Sequence, residues 1–506
     1  MIRDLIGAGQ VKAHADVLVI GAGTVGLVLA TELAARGKRV ICLESGGPTQ
    51  ESDTHPLNAT EQTGTPYAGA EFGRARCLGG TSTRWGGALI PFQAPDMSNA
   101  DWPIDWAELA PYLPKVEALF GLPPGAYEEP SVRLGVNYIA RLAKWPSFGR
   151  RNVYSLVREQ ADAASGPEIW INATATRFTV EGSHLTRVLA ESPDGSSISV
   201  NATNTVIAAG AIESTRLLHL VSQQNPGAVK GQGLGEGFHD HLSAVVAELE
   251  VFDRHALNQI VGFRFVAGGG MRNLRFELAP SSQLRDSLSP CFAHVGFSET
   301  QGGFSALRDV FRALQRRRLP ELSVLARIVR GLPWLLRAVW WRFVHQRLLF
   351  PVGARIELHM VIEQNSVPEN CIGLSTQNTD RFGQPLARID WMVSPEDVAT
   401  MAAAVEAFEK AWAEGPFAHL ATVRRRPLSE VSQEMAKGGG IYHPGGSTKL
   451  AASSDQGPIG RDLSVFGLPN LTVCATSVLP TGGGANPTMM LMLLAFRHID
   501  NIISKS

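Results

Sequence analysis

The stretch from Asp16 to Gly47, DVLVIGAGTVGLVLATELAARGKRVICLESGG, leaves a chain few ways to fold. Val17 to Ile20 is an apolar run suited to a strand buried on both faces, about Val25 to Arg36 is alanine-rich helix, and Arg39 to Leu43 is a second buried strand. Between the first strand and the helix, Gly21, Gly23 and Gly26 stand in G-x-G-x-x-G spacing. Gly21 permits a sharp turn, Gly23 lets a pyrophosphate approach the backbone, and Gly26 lets the helix pack closely on the strand, so the phosphates sit at a helix N-terminus. Glu44 ends the second strand, where a carboxylate can take a ribose hydroxyl. A glycine fingerprint alone is weak; strand, turn, helix, strand and acid together predict a dinucleotide site.

The 506 residues allow two to four domains with ample core. With 44% hydrophobic and 18% charged residues and a net charge of -1, the chain has the balance of a soluble globular protein and no overall field to attract nucleic acid. No nucleic-acid partner is therefore expected. Cys42, Cys77, Cys291, Cys371 and Cys474 lack C-x-x-C spacing, which points to free thiols in a reducing compartment and away from zinc. The opening MIRDLIGAGQVKAHAD has neither an apolar core nor twin arginines, so a cytoplasmic location is expected. No internal repeat is evident.

Further along, Arg74-Ala-Arg76-Cys-Leu-Gly-Gly-Thr-Ser-Thr-Arg-Trp-Gly-Gly87 forms a backbone-rich loop that can lie flat on a planar ligand or cradle phosphate, or serve merely as a flexible connection. Trp102-Pro-Ile and the helical stretch Trp106 to Leu119 read as a docking segment. Short β runs between Glu168 and Val206 lead into Asn204-Thr-Val-Ile-Ala-Ala-Gly-Ala-Ile-Glu-Ser-Thr-Arg-Leu-Leu218, a buried strand, a small-residue turn and a helix that return the chain to the nucleotide sheet. From about 245 to 440 the glycine-rich character gives way to strand-like runs such as Arg355 to Ile362, expected to form a largely antiparallel wall for substrate. The expected division is 1–100, 151–245 and 439–506 for one discontinuous cofactor domain, 101–150 for the docking segment and 246–438 for the substrate domain.

Ser305 to Phe350 stands apart: ten arginines face only Asp309 and Glu321, a balance of +8, interleaved with Leu325, Ile328, Trp334, Leu335, Trp340, Trp341 and Phe343. Such a helical region suits peripheral contact with an anionic membrane or a grip on a lipid-linked or phosphorylated substrate. The plainer reading is a solvated insertion whose apolar stripe is buried on its own domain.

Near the C-terminus, Gly438-Gly-Gly-Ile-Tyr-His-Pro-Gly-Gly-Ser-Thr-Lys-Leu450 holds His443 in a glycine loop just before Pro444, whose ring restricts the backbone before it. Asn486-Pro487-Thr488 then opens the helical run MMLMLLAFRHIDNII, and Asn486 is expected as its N-cap, leaving the amide NH2 free while the helix turns its positive end to the glycine-rich mouth.

Five ordered motifs, namely the fingerprint with Glu44, LGGTSTRWGG, AAGAIESTRLL, HPGGST and the closing NLTV to NPT segment, resemble the glucose-methanol-choline oxidoreductases, flavoenzymes that oxidise alcohols. The likeness runs from end to end and looks more like the pyranose-oxidase and sugar-dehydrogenase branch than glucose oxidase. It implies an α/β fold, with a discontinuous Rossmann-like FAD-binding domain and a mainly antiparallel β substrate-binding domain. It also implies FAD, with Gly21, Gly23, Gly26 and Glu44 toward the adenosine end, Gly79, Gly80, Thr81, Ser82 and Trp85 near the ring, and Ser45, Arg76, Gly86, Ala209 and Thr488 as further contacts. His443 is implied as catalytic base and Asn486 as its partner beside the flavin. Two departures stand out. Arg84 occupies the loop position where pyranose oxidases carry a histidine that can bond to the flavin, so non-covalent FAD is expected; and Ala475 stands near where many relatives carry an aspartate.

The implied reaction takes an alcohol, expected to be a sugar, glycoside or polyol, to a carbonyl as His443 removes the hydroxyl proton and hydride passes to the flavin. Oxygen, a quinone or another carrier could reoxidise it; no haem-binding C-x-x-C-H is present. Two rivals are a non-redox FAD-containing lyase of the same architecture and a membrane-peripheral electron-transfer or binding subunit.

Overall fold

The computed structural model describes residues 1–50, 54–98, 102–299, 302–315, 319–437 and 441–505. Gly438 to Gly440 of the glycine loop and the arginines at 316–318 lie outside the described residues.

The predicted strand, turn, helix and strand are present as Gln10–Ile20, Gly26–Ala35 and Val40–Leu43. The four residues Val40 to Leu43 are all buried, and so are Val17 to Ile20, as near-continuous apolar runs in a covered parallel sheet should be. Parallel pairing joins Gln10–Ile20 to Val40–Leu43 on one side and to Ser197–Ile207 on the other, and Ser197–Ile207 continues in parallel to Leu468–Val473. Three stretches far apart in sequence thus lie side by side, which is what makes the cofactor domain discontinuous. The hairpin Thr174–Glu181 and His184–Glu191 flanks this eleven-stranded sheet through antiparallel pairing with Ser197–Ile207.

A second sheet of eight strands has antiparallel pairing throughout and runs in the order Ala421–Arg425, His241–Val251, Arg355–Glu363, Cys291–Ser298, Met271–Leu278, Tyr138–Trp145, Glu128–Leu134, with Arg264–Phe265 beside Met271–Leu278. Among the described residues the third sheet is small and joins Thr60–Gly64 to Pro385–Trp391 and Cys371–Thr379. The core divides accordingly, one cluster around the parallel sheet and the helix Thr488–Ser504, the other around the antiparallel sheet and the helix Pro395–Glu414.

Gly21, Glu44, Ala208 and Cys474 each follow the last residue of a parallel strand. Their loops therefore gather at one edge, the carboxyl end where open α/β sheets bind ligands. All five cysteines are free.

Candidate active site and cofactor cleft

A single cleft of about 660 Å³ runs from the carboxyl edge of the parallel sheet to the face of the antiparallel one. At one end stand Gly21, Gly23, Glu44 and Ser45; at the other stand His443, Asn486, Asn273, Arg275, Phe292 and His294. Of the cofactor contacts expected from sequence, Arg76, Gly80, Thr81, Ser82, Trp85, Gly86, Ala209 and Thr488 also line it. Gly26 and Gly79 act from behind. A side chain at Gly26 would lie 1.9 Å from the Gly21 carbonyl oxygen, so helix and strand could not meet, and Gly79 holds φ +89 with Asn152 Oδ1 2.3 Å from where a Cβ would be.

These features fit FAD. Gly23 would meet nothing nearer than the Gly80 Cα at 4.0 Å, whereas at Gly80 a Cβ would come within 2.8 Å of the Gly23 Cα. The two loops thus form a glycine-faced slot whose walls are backbone, open to a pyrophosphate on one side and a planar ring on the other. Ser82 contributes backbone only, since its hydroxyl donates to the Gly79 carbonyl at 2.6 Å and accepts from the Val153 amide at 3.0 Å.

Glu44 is buried and accepts from the amides of Ala22 and Gly46, each at 2.9 Å. Burial raises its carboxyl above the ordinary range, and those amides, with Arg76 and Ser45, oppose the rise. Arg76 is itself oriented: it donates to Ser45 Oγ at 2.8 Å and pairs with Glu213 at 2.7 Å. Burial would raise the Glu213 carboxyl too, but Arg76, Arg216 and Arg74 outweigh it and hold it at about 2. Sequence reasoning missed this cluster, although Glu213 lies within the AAGAIESTRLL motif.

At the other end, a chain of hydrogen bonds sets the state of His443. His241 Nε2 lies 2.8 Å from the Gly483 carbonyl, which can only accept, so this nitrogen carries the proton. His241 Nδ1 is then an acceptor, and His443 Nδ1, 3.1 Å away, must donate to it. His443 Nε2 is left with its lone pair, facing the Asn486 amide nitrogen at 3.3 Å. Burial, then His241 and Arg275, push the His443 imidazole well below its ordinary value of 6.5, and burial takes His241 to about 4. Both rings are neutral at neutral pH, as a proton acceptor requires. Asp240 fixes the backbone beneath them, accepting from the amides of His443 at 2.5 Å and His241 at 2.7 Å, and from the Tyr67 hydroxyl at 2.5 Å.

Asn486 corrects one expectation. The final helix is Thr488–Ser504 with Pro487 at its N-cap and no side-chain capping bond. Instead the Asn486 oxygen accepts from Arg275 Nη2 at 2.6 Å. A buried guanidinium donates more strongly than a helix amide, and its pull turns the amide nitrogen toward His443. Arg275 is held in turn by Glu277 at 3.8 Å and by the Phe292 ring, 4.0 Å from its Cζ.

Neither His241 nor Arg275 was among the expected residues. The first had a signal in the run His239-Asp240-His241 after glycine-rich Gly233-Leu-Gly-Glu-Gly237. The second had a fainter one: Asn273, Arg275 and Glu277 alternate along one strand, which puts three polar side chains on one face.

Comparison with known proteins agrees with this arrangement. A family model described as GMC oxidoreductase matches residues 366–495, and one described as FAD binding domain matches residues 14–56. The 2-methyl-1,2-propanediol dehydrogenase of Mycolicibacterium austroafricanum is 23% identical over 571 aligned positions, covering 96% of this chain and 95% of that protein. Pyridoxine 4-oxidase from Mesorbium loti superposes with a TM-score of 0.60 at 16% identity, covering 96% of this chain and 98% of that one. A variant of Aspergillus oryzae formate oxidase, solved to follow FAD modification, gives 0.57 at 15% identity over 97% and 98%. The two solved structures speak for the fold. With the glycine-faced slot and the matching family models on one cleft, the chain resembles the GMC oxidoreductases, whose family model its residues 366–495 match, and is an FAD-dependent alcohol oxidoreductase.

Proposed function

We propose that the chain oxidises a small polyhydroxylated alcohol, such as a polyol or sugar, at a CH–OH carbon, with His443 as the base. The observation that carries this reading is the relay from the Gly483 carbonyl through His241, which leaves the lone pair of His443 Nε2 in the cleft. Bound FAD supplies the hydride acceptor. His443 takes the hydroxyl proton at Nε2, and Asn486, its oxygen engaged by Arg275, offers its NH2 to orient the substrate oxygen.

Three buried atoms support a substrate with more than one hydroxyl. Asn273 Oδ1, Arg275 Nη1 and His294 Nδ1 have no hydrogen-bond partner among the described residues, and all three residues line the cleft. Buried polar atoms of this kind call for a partner, and further hydroxyls of the substrate meet that need. The diol named for the curated relative is of the same chemical kind.

FAD is expected to be held non-covalently. No cysteine is among the cleft residues, His443 and His294 are its only histidines among the described residues, and position 84 is an arginine. Acid precipitation should release the yellow chromophore into the supernatant; colour retained in the pellet would contradict this. The reaction itself is tested by anaerobic titration with polyols, sugars and simple monoalcohols. Bleaching of the flavin by polyols and sugars at lower concentrations than by monoalcohols supports the reading, and no bleaching by any alcohol sinks it.

A further inference from the structure

The segment set apart by its arginines folds as two helices, Gly303–Gln315 and Leu322–Val344. The second is held by one face only. Val324, Trp334 and Trp341 are buried, with Trp334 edge-on to Phe304 and Trp341 against His255. Gly331 crosses Gly303 so closely that a Cβ there would lie 2.5 Å from the Gly303 Cα, and Arg327 pairs with Asp309 at 2.7 Å. The plainer expectation, an apolar stripe buried on its own domain, thus holds for Trp334 and Trp341 but fails for Leu325, Trp340 and Phe343.

The opposite face is apolar and exposed. Leu322, Leu325, Val329, Leu332, Leu336, Trp340 and Phe343 follow one another at spacings of three and four, with Val329 70%, Leu336 64% and Phe343 76% exposed. At 3.6 residues per turn they share an arc of ~100°, on a helix ~34 Å long. Arg330 and Arg337 run along one edge of this arc, two turns apart, both exposed. From Leu322 to Ile356 the chain has no acidic residue.

We propose that the helix Leu322–Val344 docks the enzyme on an anionic lipid surface, lying in the plane of the interface. A continuous apolar row edged with arginine, on a helix already folded and fixed to the body of the enzyme, is the form that sinks into the headgroup boundary while its cations meet lipid phosphate. Exposed Trp340 suits that depth, with its apolar body and polar N–H. A second copy is the weaker match, since rows closing on one another would crowd their arginines together with no acid between them. Among the described residues no helix is long and apolar enough to cross a membrane, which agrees with a helix that lies on the surface.

Flotation of the purified holoenzyme with phosphatidylcholine vesicles, with and without phosphatidylglycerol, tests this. The enzyme should float with the phosphatidylglycerol vesicles, at least about tenfold less with phosphatidylcholine alone, and progressively less as salt shortens the screening length. The double variant Leu336→Glu/Phe343→Glu should lose flotation while keeping its flavin and its rate of reduction by alcohol. Arg330→Gln/Arg337→Gln should lose the preference for anionic vesicles. The proposal is overturned if the enzyme floats with neither vesicle, if it floats equally with both, if the glutamate variant floats like wild type, or if wild type is a dimer that the glutamate variant makes monomeric.

Discussion

His241 Nδ1 and His443 Nδ1 lie 3.1 Å apart with their rings crossed at 86°, and the one proton between them leaves the lone pair of His443 on Nε2, the nitrogen that faces the cleft. His241 acts through His443, so its effect should depend on the acceptor it presents. His241→Leu removes that acceptor, lets His443 adopt the other tautomer, and should slow flavin reduction by about 10- to 100-fold. His241→Asn places an amide oxygen near the former Nδ1 and should recover most of the rate. Equal losses in both variants would reduce His241 to a packing role.

Arg275 and Asn486 form one unit through their 2.6 Å hydrogen bond. Asn486→Ala and Arg275→Leu should each lower the reduction rate by about tenfold, and the double variant should be little worse than either, because both remove the same oriented amide. Glu277 retains Arg141 at 2.5 Å, so Arg275→Leu leaves that carboxylate paired. Multiplying losses would show that the two side chains act separately.

The acidity of the site gives a pH signature. Burial depresses His443 well below 6.5, so the neutral base persists as pH falls and reaction fails only on the acid side, once pH drops below the depressed value. Stopped-flow reduction by an alcohol should therefore stay level from pH 8 down through about 6.5. An acid limb centred on 6.5 would place His443 in solvent.

Asp240 carries a second one. Burial raises its carboxyl to about 7 from an ordinary 3.8, with the donors Tyr67, His443 and His241 opposing the rise. Between these values the folded state binds more protons than the unfolded, so this group's contribution to stability is present at low pH and is lost as pH rises toward 7. Asp240→Asn should flatten that slope in denaturant titrations. Asp240→Leu, which strips an acceptor from three buried donors, should cost about 3 kcal/mol.

The glycines separate binding from folding. The Cβ of Gly23→Leu clears the neighbouring backbone, with the Gly80 Cα 4.0 Å away, so the protein should fold, melt like the apoenzyme and remain colourless. Gly26→Leu collides with the Gly21 carbonyl and should instead prevent soluble expression. A yellow Gly23→Leu protein would remove the slot as the phosphate site.

The sequence revealed what is local and periodic. The fingerprint at Gly21, Gly23 and Gly26, the buried strands and the glycine loop at 77–87 all follow from spacing and residue type, and residues of both glycine segments line one cleft. The return of Asn204 to Leu218 to the nucleotide sheet was legible because small residues at Ala208 to Ala211 marked a crowded turn; that its strand pairs with Gln10–Ile20 was not. The His241 to His443 contact was not, since 202 residues separate its members and no local pattern reports it. Asn486 was misjudged as a cap for the same reason: its Asn-Pro context favours one, and only tertiary structure brings Arg275 to compete for its oxygen.

The most direct test of His443 as the base is anaerobic stopped-flow reduction of the bound flavin by its best alcohol, in wild type and His443→Ala at equal flavin content. Loss of a general base should slow bleaching by about 100- to 10,000-fold with the flavin still bound. A variant that keeps its flavin and bleaches at the wild-type rate would contradict the assignment.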